Sequence, residues 1–327
     1  MVVELNSNIL ADIDPDANFL DRVLPENLCS YLTVDEFNST YSNPFNFNLL
    51  NFNISSFHRN GAQFESLLES IKVQFKCIVI SETWNNDLNK DLCNLPDYNG
   101  FHTTRSGEEV CSRSGGVSVF CNDDIQATKL NEISICTVSI ETCVVRFEYL
   151  GKTYLILALY RPHQGSKHDF IRELDQIISS LDLSDCIVFI VGDFNLNYLD
   201  LEDSYIVEFA TKLYSKCFNC LIDKPTRFPR GNQIGDPSCL DMIWTNHLSI
   251  HSAGILDYDQ SDHLPTFCTM ATESVSPVKE MIKIETRPYS DSNLSMFVNK
   301  LGEINWENEL VYDDVDYSIS TFCKKIL

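Results

Sequence analysis

Apolar positions along this 327-residue chain fall into short blocks, and most blocks end in polar residues. Residues 47–54, 75–80, 117–121, 186–192, 240–244 and 266–270 are apolar-rich runs of strand length, as expected of strands covered on both faces. Residues 136–150 and 153–160 are two more such runs, separated by Gly151-Lys152, and this predicts a β-hairpin. Helical spacing occurs at 63–73, where Phe64, Leu67, Leu68 and Ile71 share a face, and again at 168–181 and 205–216. Residues 85–110 are polar and read as loop. Strands broken by few helices do not fit the strict alternation of a doubly wound parallel sheet. They predict a four-layer α/β sandwich, with two mixed β-sheets face to face and helices outside.

The character of the chain changes twice. Residues 1–45 are rich in Asp, Asn and Ser and carry a net −7, so a poorly ordered acidic extension with one short helix is expected there. Residues 46–272 hold the periodic segments at a net −12. Residues 273–327, at −4, open with Pro277, Pro288 and a polar run at 290–293. They read as a linker followed by short amphipathic helices at 294–304 and 317–326, too small to form a core alone.

No apolar run approaches the roughly 20 residues that span a bilayer. The N-terminus is acidic where a signal peptide would be basic. The expectation is a soluble, intracellular protein with no membrane partner. Thirteen cysteines, several inside apolar runs (Cys77, Cys121, Cys143, Cys186), read as buried thiols of a reducing compartment. Cys217 and Cys220 form a lone CxxC without the second ligand pair of a zinc site. The overall charge of −23 leaves no segment basic enough to hold nucleic acid by phosphate neutralisation alone. It leaves room for a phosphodiesterase, because clustered carboxylates suit a divalent cation.

Five block ends carry chemistry: Asn51-Phe52-Asn53, Ser81-Glu82-Thr83, Gly192-Asp193-Phe194-Asn195, Leu240-Asp241, and Ser261-Asp262-His263. Each alone has an ordinary structural reading, such as a turn Asn, a helix N-terminus, an Asx turn or a surface salt bridge. Together they supply what phosphodiester cleavage requires. Glu82 can ligate a hard cation, which keeps several waters and needs only one or two carboxylates. Asp193 and Asn195, two residues apart, can orient water and contact phosphate. His263 can act as base or phosphate ligand, tuned by a neighbouring carboxylate. Asn53 and Tyr160 can donate hydrogen bonds.

The order of these residues resembles the endonuclease/exonuclease/phosphatase superfamily, which includes DNase I, apurinic endonucleases, inositol phosphatases and sphingomyelinases. Within it, the motifs are most similar to the endonuclease domain of LINE-type non-LTR retrotransposons of the Jockey-like and chicken-repeat-like kinds. The resemblance covers about residues 46–272. It rests on Leu50-Asn51-Phe52-Asn53-Ile54-Ser55-Ser56-Phe57, Ser81-Glu82-Thr83-Trp84, Arg113-Ser114-Gly115-Gly116-Val117 and Leu159-Tyr160-Arg161-Pro162. It continues through Gly192-Asp193-Phe194-Asn195, Pro225-Thr226-Arg227, Ser238-Cys239-Leu240-Asp241, Ile243-Trp244-Thr245-Asn246 and Ser261-Asp262-His263-Leu264-Pro265. Two departures are Ser55, where many members carry Arg, an amide or an acid, and Ser114 in place of a third Gly. Arg287-Pro288-Tyr289-Ser290, Phe297, Leu301 and Ile304-Asn305-Trp306 are similar to the segment that joins endonuclease to reverse transcriptase in such elements. The chain therefore reads as the front part, a truncated copy or a domesticated remnant of a retrotransposon polyprotein, with a reverse transcriptase domain as a former partner.

The resemblance implies Mg²⁺ as cofactor, with Mn²⁺ able to substitute, and duplex DNA as partner, nicked in the nucleus. It implies Glu82 as principal metal ligand with Asn53 and Asp262 nearby, Asp193 on the attacking water, and Asn195 and Tyr160 on the phosphate. Asp241 would pair with His263, and Thr226 and Ser261 would support the site. Arg227, Arg230, Asn232 and Gln233, on or beside the loop before Asp241, are the candidate DNA contacts. Alternatives are a phosphomonoesterase or apurinic-site nuclease of the same superfamily, or a non-catalytic remnant serving as an interaction module.

Overall fold

Thirteen strands in two sheets make the core of the described residues. The computed structural model describes residues 29–41, 47–86, 92–105, 115–183, 185–230, 235–247, 250–270, 298–300 and 302–306. One sheet has seven strands in the order β1 (Cys29–Leu32), β12 (Ile250–Leu256), β13 (Thr266–Met270), β2 (Phe47–Asn53), β3 (Cys77–Ser81), β5 (Val117–Asn122), β4 (Tyr98–Thr103). The other has six, in the order β10 (Asn219–Cys220), β11 (Asp241–Thr245), β9 (Cys186–Asp193), β8 (Lys152–Tyr160), β7 (Glu141–Tyr149), β6 (Ala127–Lys129). Both are mixed: β1–β12, β2–β3 and β8–β9 run parallel, and the other pairs antiparallel.

The inner faces meet through aromatic rings. Phe47 of the first sheet stacks on Tyr154 at 4.6 Å and on Phe189 at 5.7 Å, both from the second. Helix α2 (Phe57–Ser70) lays Phe64 and Leu67 into the cluster holding Phe52, Ile78 and Ile80 on the outer face of the first sheet. Helices α3 (Lys167–Ser180) and α4 (Ser204–Ser215) cover the second sheet, and Phe209 meets the fully buried Trp244 edge-on at 5.5 Å. This is the four-layer α/β sandwich that the apolar pattern predicts. The hairpin between β7 and β8 closes on Leu150 and Gly151, both left-handed (φ 50° and 72°), as a two-residue turn matched to strand twist demands.

Three stretches differ from the sequence reading. Residues 29–41, placed in the acidic extension, contribute β1 and helix α1 (Val34–Thr40). Thr33 and Glu36 form a reciprocal capping box, and α1 buries Phe37 against Phe75 and Phe267. A four-residue edge strand and a two-turn helix are too short to show periodicity. Residues 98–103, read as loop, form β4; it pairs with β5 at the sheet edge, and its largely polar composition carries no alternating apolar signal. Strand β12 carries no strand signal in the sequence, because Ser252, Ala253 and Gly254 interrupt its apolar character and a register shift falls between Ile250 and Ser252. Residues Pro277–Leu327 form a separate unit. The helix expected at 317–326 lies outside the described residues.

Candidate active site

Strand register assembles the site before any side chain is considered. Asp241 of β11 stands opposite Asp193 of β9, Asp193 opposite Tyr160 of β8, and Tyr160 opposite Glu141 of β7. Four polar residues thus form one row across the end of the second sheet. Gly192 permits this row, because a β-carbon there would lie 1.8 Å from the carbonyl oxygen of Leu159. In the first sheet, Asn53 stands opposite Ser81 and so beside Glu82.

Asn53 joins the two sheets. Its Nδ2 donates to Asp193 Oδ2 at 2.8 Å and to Glu82 Oε1 at 3.1 Å. Its Oδ1 accepts from the Ser55 amide at 3.1 Å, which fixes the amide orientation. Glu82 is half-buried with left-handed backbone (φ 53°), and its second oxygen accepts from the indole nitrogen of Trp84 at 3.1 Å. Asp193 is fully buried and its Oδ1 accepts from the Asn195 amide at 2.9 Å. Burial, then the charges of Asp241 and Glu82, push Asp193 up to about 7 against the pull of His263.

The imidazole partner is Asp241 and not the adjacent Asp262. His263 Nδ1 lies 2.7 Å from Asp241 Oδ2, which also accepts from Thr226 Oγ1 at 2.7 Å. Thr226 Oγ1 in turn accepts from the amides of Leu240 and Asp241. Asp241 Oδ1 is buried without a partner. Burial opposes charge on His263, but the charge and hydrogen bond of Asp241, with Asp193 and Asp262, outweigh it and raise the imidazole to about 10. Ser261 Oγ shares its hydroxyl proton between the carbonyls of Asn53 and His263, which ties the end of β2 to the turn before β13 within the first sheet. Tyr160 is buried. Desolvation, then Glu82 and Asp193, hold its phenol well above the ordinary range, and it stays a donor.

The remaining candidates are placed differently. Asp262 Oδ2 accepts from Arg227 Nε at 2.9 Å in an ion pair, and the structure shows no bond from it to Glu82 or Asn53. Asn195 has left-handed backbone (φ 46°) and spends Nδ2 on the Arg161 carbonyl at 2.7 Å. Arg230 pairs with Asp259. Asn232 and Gln233 lie outside the described residues.

A model of the endonuclease/exonuclease/phosphatase family matches residues 47–263. The chain belongs to this family. Its members are hydrolytic nucleases and phosphatases, so a phosphodiesterase-type enzyme is supported. The fold is similar to that of the endonuclease domain of TRAS1, a telomere-specific non-LTR retrotransposon (TM-score 0.54, 14% identity, covering 69% of this chain and 98% of that one). It is also similar to an AP endonuclease from Leishmania major (TM-score 0.56, 11% identity, 76% and 94% covered) and to the APE2 catalytic domain of Xenopus laevis (TM-score 0.50, 15% identity, 69% and 92% covered). No curated protein sequence matches the chain significantly. Among the described residues, no helix is long and apolar enough to cross a membrane.

A divalent cation fits the charge of this site, where the half-buried Glu82 and the buried Asp193 face one another across the Asn53 amide. Asp193, Asp241 and His263 place donor atoms within 4.8 Å of one another. Two fully buried carboxylates, one with an oxygen lacking any partner, leave negative charge that a single imidazolium does not balance.

Two residues of the site lay outside the candidate set. Arg161 is buried, and its guanidinium donates only to carbonyls, those of Phe194, Asn195, Pro162 and Gly165. It clamps the turn carrying Asp193 and Asn195. Glu141 is fully buried at the start of β7. The available signal for both was a charged residue at the end of an otherwise apolar strand run.

Proposed function

We propose that this chain is a Mg²⁺-dependent endonuclease that nicks one strand of duplex DNA, the activity implied by its resemblance to non-LTR retrotransposon endonucleases. The observation that carries this reading is the Asn53 bridge. One amide hydrogen-bonds a half-exposed carboxylate and a buried one, so a cation ligand and a base face the same reacting phosphate.

Glu82 is proposed to hold the ion; Asn53 and Asp262, which the resemblance places nearby, are turned otherwise here, Asn53 aiming its Nδ2 at Glu82 and Asp262 pairing with Arg227. When bound, Mg²⁺ would polarise a phosphoryl oxygen or neutralise the leaving oxyanion. Asp193, raised to about 7, holds a proton acceptor poised near neutrality and takes the proton of the attacking water. His263, raised to about 10, keeps its proton at neutral pH and so is not the base. With Nδ1 committed to Asp241, it donates from Nε2 to the phosphate, where charge develops in the transition state. Tyr160 donates alongside it. Thr226 and Ser261 hold the Asp241–His263 pair in place.

The test is conversion of supercoiled plasmid to nicked circle by the wild type and by Glu82→Gln, with Mg²⁺, with Mn²⁺ and with chelator. The expected result is nicking that needs the metal and disappears in Glu82→Gln. Nicking that persists in chelator, or a Glu82→Gln variant with wild-type rate and metal requirement, overturns the assignment.

Arg227 precedes residues 229–236, the segment proposed to contact the groove, and Arg230, Asn232 and Gln233 belong to it. Positively charged or amide side chains there can reach base edges or minor-groove walls. Replacing 229–236 by a short Gly/Ser turn is expected to change nick positions on a long duplex while nicking continues. An unchanged map of nick sites would place target choice elsewhere.

A further inference from the structure

Glu141 is not used in the chemistry above, yet it is wired to the loop that carries Glu82. Its Oε2 accepts the Gly116 amide at 2.6 Å, and its Oε1 accepts from Arg105 Nε at 2.5 Å in a buried ion pair. Gly115 and Gly116 are both left-handed (φ 91° and 88°), where L side chains are strained. A β-carbon on Gly115 would lie 2.5 Å from Arg105 Nε, and one on Gly116 2.5 Å from Thr83 Oγ1. The two glycines then grip the next strand end through their carbonyls. Thr83 N donates to Gly116 O at 3.2 Å and Trp84 N to Gly115 O at 2.8 Å. Trp84 closes the path by donating its indole N–H to Glu82 Oε2. A continuous series of hydrogen bonds therefore runs from Glu141, through the double glycine and the Thr83–Trp84 backbone, to one oxygen of Glu82.

Stability does not account for the pair. Buried ion pairs are often replaceable by packed apolar residues at no cost, whereas removing one partner is costly. Position does account for it. Glu82 and Trp84 both sit in left-handed backbone (φ 53° and 58°), a conformation that the surrounding structure must impose. Glu141 comes from the second sheet and Gly116 precedes β5 of the first, so the contact sets the loop relative to Tyr160, its register neighbour in β8.

We propose that Glu141 and Arg105 are a positioning pair that fixes the Glu82 loop in the geometry that accepts a divalent cation. The proposal rests on the reading of Glu82 as a metal ligand. Hydrogen-bond partners of metal ligands typically contribute about 10–100-fold in metal affinity.

The test is Mn²⁺ titration of the full chain by calorimetry, with melting temperatures recorded alongside, for wild type, Glu82→Gln, Glu141→Gln and the double variant Arg105→Gln/Glu141→Gln. Glu141→Gln is expected to weaken Mn²⁺ binding by about tenfold or more. The double variant, in which two amides can bond each other without stranding a buried guanidinium, is expected to recover part of that loss. Recovery separates positioning from general destabilisation, and the double variant serves as the test should the single one not fold. Wild-type Mn²⁺ affinity in Glu141→Gln, or in the double variant if only that folds, while Glu82→Gln has lost binding, overturns the positioning role and leaves the metal assignment standing. Absence of Mn²⁺ binding in the wild type, or full binding in Glu82→Gln, overturns both.

Discussion

Asp193→Asn is expected to lower the rate of phosphodiester hydrolysis by about 10²–10⁴, the usual contribution of a positioned base. Asparagine keeps one acceptor oxygen, which can still take the Asn53 amide and hold the bridge between the sheets, while the bond from the Asn195 amide and proton acceptance are lost. The wild-type rate should fall as pH drops through about 7, where the buried carboxyl becomes protonated, and the variant should lack this limb. The stability consequence has a defined sign. The folded Asp193 lies above its ordinary value of 3.8, so its contribution is fully present below that value and is lost as pH rises through about 7. The metal-free wild type should therefore lose more stability between pH 5 and 8 than Asp193→Asn. Rate profiles against pH and chemical denaturation at several pH values check the two halves. A variant that keeps the acid limb, or loses less than tenfold in rate, removes Asp193 from the role of base.

How much of this was legible in the sequence follows from burial. Strands β2, β3, β9 and β13 lie in the interior of their sheets and are buried throughout, so apolar residues form the majority of each and the blocks stand out. Edge strands β1 and β4 lack that uniformity, because half of their surface faces solvent. The candidate residues were visible as polar terminations of buried strands, since a carboxylate such as Asp193 has no reason to follow an apolar run unless something uses it. Their partners were visible only in part. The pairing of His263 with Asp241, 22 residues away, came from the family resemblance and not from spacing, and that of Asp262 with Arg227, 35 residues away, depends on how β11 meets the turn before β13. The protonation of His263 was beyond sequence as well. Burial opposes the charge, and Asp241 and Asp193, brought in from other strands, outweigh it together with the adjacent Asp262; local spacing records neither of the first two distances. Glu141 and Arg161 show the same limit, because their roles lie in carbonyls and amides that the fold brings to them.

The Asp241–His263 pair gives the other large effect. His263→Ala removes a charged donor at the phosphate, which is expected to cost about 10²–10³ in rate, as removal of an oxyanion donor does elsewhere. It also strands the fully buried Asp241, whose Oδ1 already lacks a partner, so about 3–5 kcal/mol of stability should be lost. The imidazole is raised from 6.5 to about 10 in the folded chain. Its stabilising contribution is therefore fully present below 6.5 and is lost as pH rises through about 10, and the Ala variant should show a flatter stability profile across that window. Asp241→Asn acts through the imidazole and not on the phosphate. Without the carboxylate, burial dominates and His263 loses its proton more readily, so the variant should remain active near pH 6 and fade towards pH 8, where the wild type is still rising. Nicking rates for both variants from pH 5.5 to 9 decide the matter. If Asp241→Asn is the more damaging change at pH 6, or keeps the wild-type profile, Asp241 is not what holds the proton on His263, and the assignment of the imidazolium as phosphate donor falls with it.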